Sequence, residues 1–185
     1  MNTFFTSDQH YGHKNIIKYA NRPFSSVEEM NEALIRNHNN IVQPDDDVWF
    51  LGDFAFMQLS QVKTVLRRLN GTKRIVLGNH DKVIVNNRRD LLNEGLLDGI
   101  YDYKEITVDK QRIMLFHYGA RVWNGSHRGS WLLYGHSHGS LPPHGKSVDV
   151  GVDDTNITTE YRPYSFKEIK RFMDKREGEK VDHHG

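Results

Sequence analysis

Apolar residues along this 185-residue chain fall into short runs separated by stretches of helical periodicity. Thr3 to Ser7, Asp47 to Leu51 and Arg74 to Leu77 are each short and bounded by turn-forming residues, as buried strands are. Between the first two, Val27, Met30, Leu34 and Ile41 fall on one helical face, and Ser26 with Glu29 supplies a capping-box start. Between the second and third, Val62, Val65, Leu66 and Leu69 recur at i, i+3, i+4 and i+7, with Asn70-Gly71 as the stop signal. A strand–helix–strand rhythm predicts an α/β core with partly parallel pairing.

The second half is richer in strands. Residues 104–108 and 112–116 read as a hairpin turning at Asp109-Lys110, followed by strands at Trp131 to Tyr134, Ser147 to Val152 and Thr158 to Arg162. A last helix starts at Ser165, again with a capping box to Glu168. No repeat or long linker interrupts the pattern, so residues 1–175 are expected to form one domain and residues 176–185 a charged, flexible tail. His183 and His184 belong to that tail and are read as polar sequence rather than ligands.

Composition narrows the chemistry. With no cysteine, disulfides, thiolate metal sites and thiol nucleophiles are excluded. No run approaches the ~20 apolar residues of a membrane span, and the amino terminus lacks a signal-peptide pattern. A soluble, cytoplasmic protein with no membrane association is expected. The 25 Lys+Arg nearly balance the 24 Asp+Glu, giving +1, which argues against a stable nucleic-acid complex. The eleven histidines are many for this length, and their placement matters more than their number.

Metal-ligating residue types stand just past the ends of the apolar runs. The first strand leads into Asp8-Gln9-His10, the second into Gly52-Asp53, and the third into Gly78-Asn79-His80-Asp81. The 112–116 run ends at His117, and the 131–134 run leads into Gly135-His136-Ser137-His138. In an open α/β sheet the loops beyond the carboxyl ends of strands share one crevice. On an extended segment, residues two apart point to the same side, so each D-x-H or H-x-H pair can offer two ligand atoms to one site. The glycines at 52, 78 and 135 allow tight turns and close backbone approach. Each piece alone is a common turn or a solvated pair. Five in phase with five strands are not.

This ordered set resembles the motifs of the calcineurin-like metallophosphoesterases, in a short prokaryotic or phage form. The motifs span residues 8–138 with no ligand missing. The resemblance implies a four-layer αββα sandwich of mixed sheets and a dinuclear metal centre. One ion would be held by Asp8, His10, Asp53 and His138, and the other by Asp53, Asn79, His117 and His136, with Asp53 as the bridge. Manganese is the first choice, and iron, nickel or zinc also suit imidazole, carboxylate and amide ligands. A metal-held hydroxide would attack phosphorus in line. By the same resemblance His80 stabilises the transition state or protonates the leaving oxygen. Asp81 is either the residue that orients His80 or a simple turn residue.

Outside the motifs, His13, Arg121, His127 and Arg22 are candidate substrate contacts, with a plain surface arginine the favoured reading of Arg22. Trp123 and Trp131 read as core rather than as stacking platforms, and His38 and His144 as solvated. The expected activity is a phosphodiesterase on small nucleotide-type diesters. Monoester, pyrophosphate or nuclease activity would use the same centre, and a non-catalytic scaffold would show missing ligands. The partner expected is a small phosphorylated substrate, and the oligomeric state is open.

Overall fold

Side-chain alternation along the strands decides the layering. In a computed structural model that describes residues 1–178, β1 (Thr3–Thr6), β2 (Asp47–Phe50), β3 (Thr72–Val76), β4 (Gly99–Tyr101) and β9 (Tyr164–Ser165) form one sheet in the order β4-β3-β2-β1-β9. Only β9 runs antiparallel to its neighbour. A second sheet has the order β5-β6-β7-β8, from β5 (Lys104–Val108), β6 (Gln111–Leu115), β7 (Trp131–Tyr134) and β8 (Ser147–Asp149). Its hairpin is antiparallel and the rest parallel.

Phe4, Val48, Phe50 and Ile75 point outward from the first sheet, against α2 (Val27–Ile41) and α3 (Leu59–Arg68). Their neighbours Phe5, Trp49, Leu51 and Val76 point inward to meet Ile113, Leu115, Trp131 and Leu133 of the second sheet. Met114, Leu132 and Tyr134 face out from the second sheet and are covered by Trp123. This is the expected αββα order of two mixed sheets and helices. The fourth layer is thin, because the segment between β6 and β7 holds a single 3-10 turn, Ser126–Arg128, in place of a full helix. The apolar side of α6 (Phe166–Met173) joins the inter-sheet core, where Phe166 stacks on Trp131 at 5.6 Å.

Local signals explain most boundaries. The Ser26 hydroxyl accepts the Glu29 amide at 3.1 Å, while the Glu29 carboxylate reaches back to the Ser25 amide rather than to Ser26. At α6 the capping box is reciprocal, Glu168 N–H to Ser165 Oγ at 3.3 Å and Ser165 N–H to Glu168 Oε2 at 2.8 Å. Asp109 and Lys110, at φ 47° and 67°, make the left-handed pair that matches hairpin twist.

Several expectations are corrected. Residues 158–162 form no strand, with bends at 159–162, and pairing with β1 begins only at Tyr164. Leu69 leaves α3 in an extended conformation, and Gly71, at φ 89°, turns the chain where a Cβ would strike Asp46 O and Val48. The short helices α1 (Ile16–Tyr19), α4 (Lys82–Asn86) and α5 (Arg88–Asn93) have too few turns to announce themselves by periodicity. Arg176 is tied down, its guanidinium donating to Gly145 O at 2.6 Å and Pro143 O at 2.9 Å. His183 and His184 lie outside the described residues. No helix among the described residues is long and apolar enough to cross a membrane.

Candidate metal centre

The carboxyl ends of β1, β2, β3, β6 and β7 all open to the same side of the molecule, where the two sheets are stitched together. Beyond β1, Ser7 bridges to Gly151, and Val152 N–H donates to Ser7 O at 3.0 Å. Beyond β2, Leu51 O accepts from His117 Nδ1 at 2.6 Å, a bond from one sheet to the other. That bond leaves His117 Nε2 facing the site.

Two groups of ligand atoms result. Asp8, His10 and His138 converge in one, and Asp53, His117 and His136 in the other. Asp53 lies between them, with Oδ2 3.7 Å from His10 Nε2 and Oδ1 3.6 Å from His117 Nε2. Asn79 belongs to the second group, its Oδ1 3.2 Å from His117 Nε2. The structure thus gathers Asp8, His10, Asp53, Asn79, His117, His136 and His138 into one place.

The backbone there is not extended. Asp8, His10, Asp53, His136 and His138 have φ of 59°, 53°, 54°, 68° and 48°, the left-handed region that costs a non-glycine residue roughly 1 kcal/mol or more. The two members of the H-x-H pair serve different groups, as the family resemblance implied and the extended-segment reading did not. The conformation is enforced by bonds such as Asp8 N–H to Gly52 O and His10 N–H to Asp53 O, both 3.0 Å. His136 N–H donates to the Asp8 carboxylate at 2.9 Å. The three glycines are required by contact: a Cβ on Gly52 would meet His117, on Gly78 Asp53, and on Gly135 Ser7 and Asp8.

The electrostatics suit a cation. Burial, with Asp149 nearby, pushes the Asp8 carboxyl up to about 7. Burial also disfavours charge on Asp53, but the hydrogen bond and charge of His117, with the His80 amide and His10, outweigh it and hold that carboxyl at about 2. Burial and His138 lower His10 to about 3, so its ring is neutral, as a ligand must be. His10 Nε2 is buried without a hydrogen-bond partner. An orphaned imidazole nitrogen beside two buried carboxylates fits a divalent ion.

His80 stands at the rim, 45% exposed, with Nε2 4.0 Å from Asp53 Oδ2. Asp81 does not orient it. The Asp81 carboxylate is buried and accepts the amides of Asp53, Phe54 and Gly78 at 2.8–2.9 Å, so it shapes the loop that presents Asp53. Arg22 is not at the surface. It is 4% exposed, grips both Asp153 oxygens at 2.8 and 2.7 Å, and donates to the carbonyls of Asp8 and Gln9. His13 does reach the site, its Nδ1 3.2 Å from His10 Nδ1.

Arg121 borders a separate hollow of about 300 Å³ with Tyr134 and Leu141. His127 lies in the 3-10 turn and accepts from Arg128 Nε at 3.0 Å. Neither lines the cleft of about 660 Å³ that contains His10, His80 and His138. Trp123 and Trp131 are core. His38 is buried, not solvated, with Nε2 3.0 Å from Asn70 O, and His144 is half-buried.

Three residues escaped the motifs. Asp153 bonds His138 Nδ1 at 2.7 Å. Asp149 accepts from Ser137 Oγ, Gly139 N and Gly151 N and so holds the 135–139 loop. Tyr118 packs edge-on against His136 at 4.8 Å, with its hydroxyl 3.4 Å from Asn79 Oδ1. A signal was present for Asp153, which directly follows the 147–152 apolar run as the other ligands follow theirs, whereas Asp149 lies within that run.

No protein-family model matches the chain. The uncharacterized protein MJ1445 of Methanocaldococcus jannaschii is 33% identical over 181 residues, covering 93% of this chain and 91% of the relative. The gene 66 protein of Mycobacterium phage L5 is 28% identical over 181 residues, 82% of this chain and 86% of that one. Among solved structures, AQ665 of Aquifex aeolicus, a protein of unknown function, superposes with a TM-score of 0.68 at 25% identity, over 92% of this chain and 98% of that one.

Proposed function

We propose that this chain, which belongs to one family with MJ1445, is a calcineurin-like metallophosphoesterase, a dimetal-dependent phosphodiesterase acting on small nucleotide-type phosphodiesters. The observation that carries this reading is Asp53, whose two oxygens address His10 and His117 at 3.7 and 3.6 Å, one on each side. A carboxylate with several lone pairs suits a bridge between two ions. When bound, such ions supply Lewis acidity and a water that ionises near neutral pH.

The remaining roles fall to the chain's own groups. Asp8, His10 and His138 would hold one ion beside Asp53, and Asn79, His117 and His136 the other. His80 is exposed enough to meet substrate and close enough to Asp53 to lie beside the reacting phosphorus, so its Nε2 is the proton donor to the leaving oxygen. Asp81 contributes by fixing the Asp53 loop. Manganese is our first choice of metal, and the cytoplasm our choice of compartment.

A diester is favoured over a monoester on charge. Among the described residues, no lysine or arginine lines the cleft over the site, and Arg22 is committed to Asp153. A dianionic monoester would call for such cations, whereas a monoanionic diester with an apolar substituent does not. The test is a hydrolysis panel after reconstitution with manganese, iron, nickel or zinc, covering chromogenic mono- and diesters, cyclic nucleotides, dinucleotide polyphosphates and single-stranded DNA. Diester turnover that disappears in Asp53→Ala is expected. A protein that binds no metal by elemental analysis and turns over nothing would return the fold to a scaffold role.

A further inference from the structure

We propose that the cleft beside His10 and His80 seats a planar heteroaromatic group of the substrate, a nucleobase, against Tyr19 and Phe56. The inference rests on the phosphodiesterase reading and states which part of the substrate lies where.

Phe56 is the platform of this cleft. His10 stacks on it with centroids 5.2 Å apart and planes 15° apart, and His13 stacks at 4.0 Å and 21°. The two imidazoles are themselves 5.3 Å apart. On opposite faces of a phenyl ring at those distances they would be much farther from each other, so both lie on one face. Phe56 nonetheless keeps 37% exposure and lines the cleft. A phenyl ring backed by two imidazoles is held in place before any ligand arrives, which lowers the ordering cost of binding.

Tyr19, the last residue of α1, is 74% exposed and lines the same cleft. It stands edge-on to His13 at 6.3 Å and 74°, so its ring is steeply inclined to the Phe56 platform. A flat ring entering the corner stacks on one wall and meets the other at an angle, both favourable arrangements for aromatic pairs.

Ile16 and Ala20 extend the apolar surface, while Asn21, Ser137 and Ser140 supply neutral hydrogen-bonding groups at its margin. A lipid chain would have no use for those polar groups, and an acidic peptide would find no lysine or arginine among the described lining residues. A base uses both surface types, because it has an apolar face and a polar edge. The volume of about 660 Å³ lies within the usual range for small-molecule sites. Phe56 also contacts His80, with centroids 4.7 Å apart, which puts the platform next to the proposed proton donor.

The experiment compares binding of adenosine 5′-monophosphate and ribose 5-phosphate to the zinc-loaded full chain, by calorimetry and saturation-transfer NMR. The two ligands share sugar and phosphate and differ by the base. Wild-type protein is expected to prefer the nucleotide by about tenfold, the scale of one base stacked on an aromatic side chain, with saturation concentrated on the adenine protons. Tyr19→Ala and Phe56→Leu should each reduce the preference while leaving ribose 5-phosphate binding in place. Tyr19 is exposed enough that its variant keeps the test sound if Phe56→Leu disturbs His10.

Equal affinities in wild type, a preference that survives both substitutions, or no nucleotide binding at millimolar concentration would each overturn the proposal. So would self-association that Tyr19→Ala abolishes while base preference stays intact, since the face would then belong to a second copy. Base preference without diester turnover would retain the platform and sink the phosphodiesterase reading. Turnover without base preference would do the reverse.

Discussion

His138 Nδ1 lies 2.7 Å from Asp153 Oδ2, and that contact decides which nitrogen of the ring addresses the site. With Nδ1–H donated to the carboxylate, Nε2 is left with its lone pair for the group formed with Asp8 and His10. Asp153→Asn is therefore expected to weaken metal binding by about 10–100-fold with the fold intact. Competition against a graded series of chelators reads this directly. Wild-type affinity in the variant would show that Asp153 does not position His138.

Arg22 sits behind that pair and joins four oxygen acceptors, both Asp153 oxygens and the carbonyls of Asp8 and Gln9. Arg22→Ala would leave a carboxylate buried without its charge partner, at a cost of about 3–5 kcal/mol. Arg22→Lys should recover only part, since a point-like ammonium cannot reproduce the planar fork. Denaturant midpoints of the two variants measure it. Loss under about 1 kcal/mol in Arg22→Ala would mean that water replaces the guanidinium.

His80 is the half-exposed imidazole at the rim. His80→Ala should keep metal content and thermal stability while diester turnover falls by about a hundred- to ten-thousandfold. The loss should be smallest for substrates with good leaving groups, because those need least protonation. A uniform loss across leaving groups would assign His80 to binding instead.

His38 provides a pH dependence remote from the ligand groups. Burial, partly offset by the bond to Asn70 O, lowers it from 6.5 to about 4. The unfolded chain takes up a proton at this position between pH 6.5 and 4 while the folded chain does not. Stability is thus highest above pH 6.5 and declines as pH falls, by up to about 3 kcal/mol from this group alone. Comparing pH profiles of denaturant stability for wild type and His38→Gln isolates it. Parallel profiles would show that His38 is protonated in the folded state without penalty.

The strands and long helices were legible because each carries its own signal. Phe4 and Phe5 face opposite cores, as period-two alternation requires, and Val62, Val65 and Leu66 are buried as their spacing implies. The ligand residues were legible because they follow strands in a constant phase, and the outward resemblance of the motifs did the rest. Arg22 and His38 were misread, and Asp81 was left open, for one reason. Their partners, the Asp53 and Phe54 amides, Asp153 and Asn70, are 28, 27, 131 and 32 positions away, and no local pattern encodes such a pairing.

The sequence by itself determined the α/β class, the order of the main strands, and a cysteine-free set of imidazoles, carboxylates and an amide at the strand ends. These are properties of residue type and spacing, which act locally. The tertiary structure alone decided that Arg22 and Asp153 stand behind the site, and that Phe56 stacks against His10 and His13 yet stays partly exposed in the cleft. Those outcomes depend on how the two sheets approach each other and on which buried polar groups must then find partners, and only the folded chain sets both.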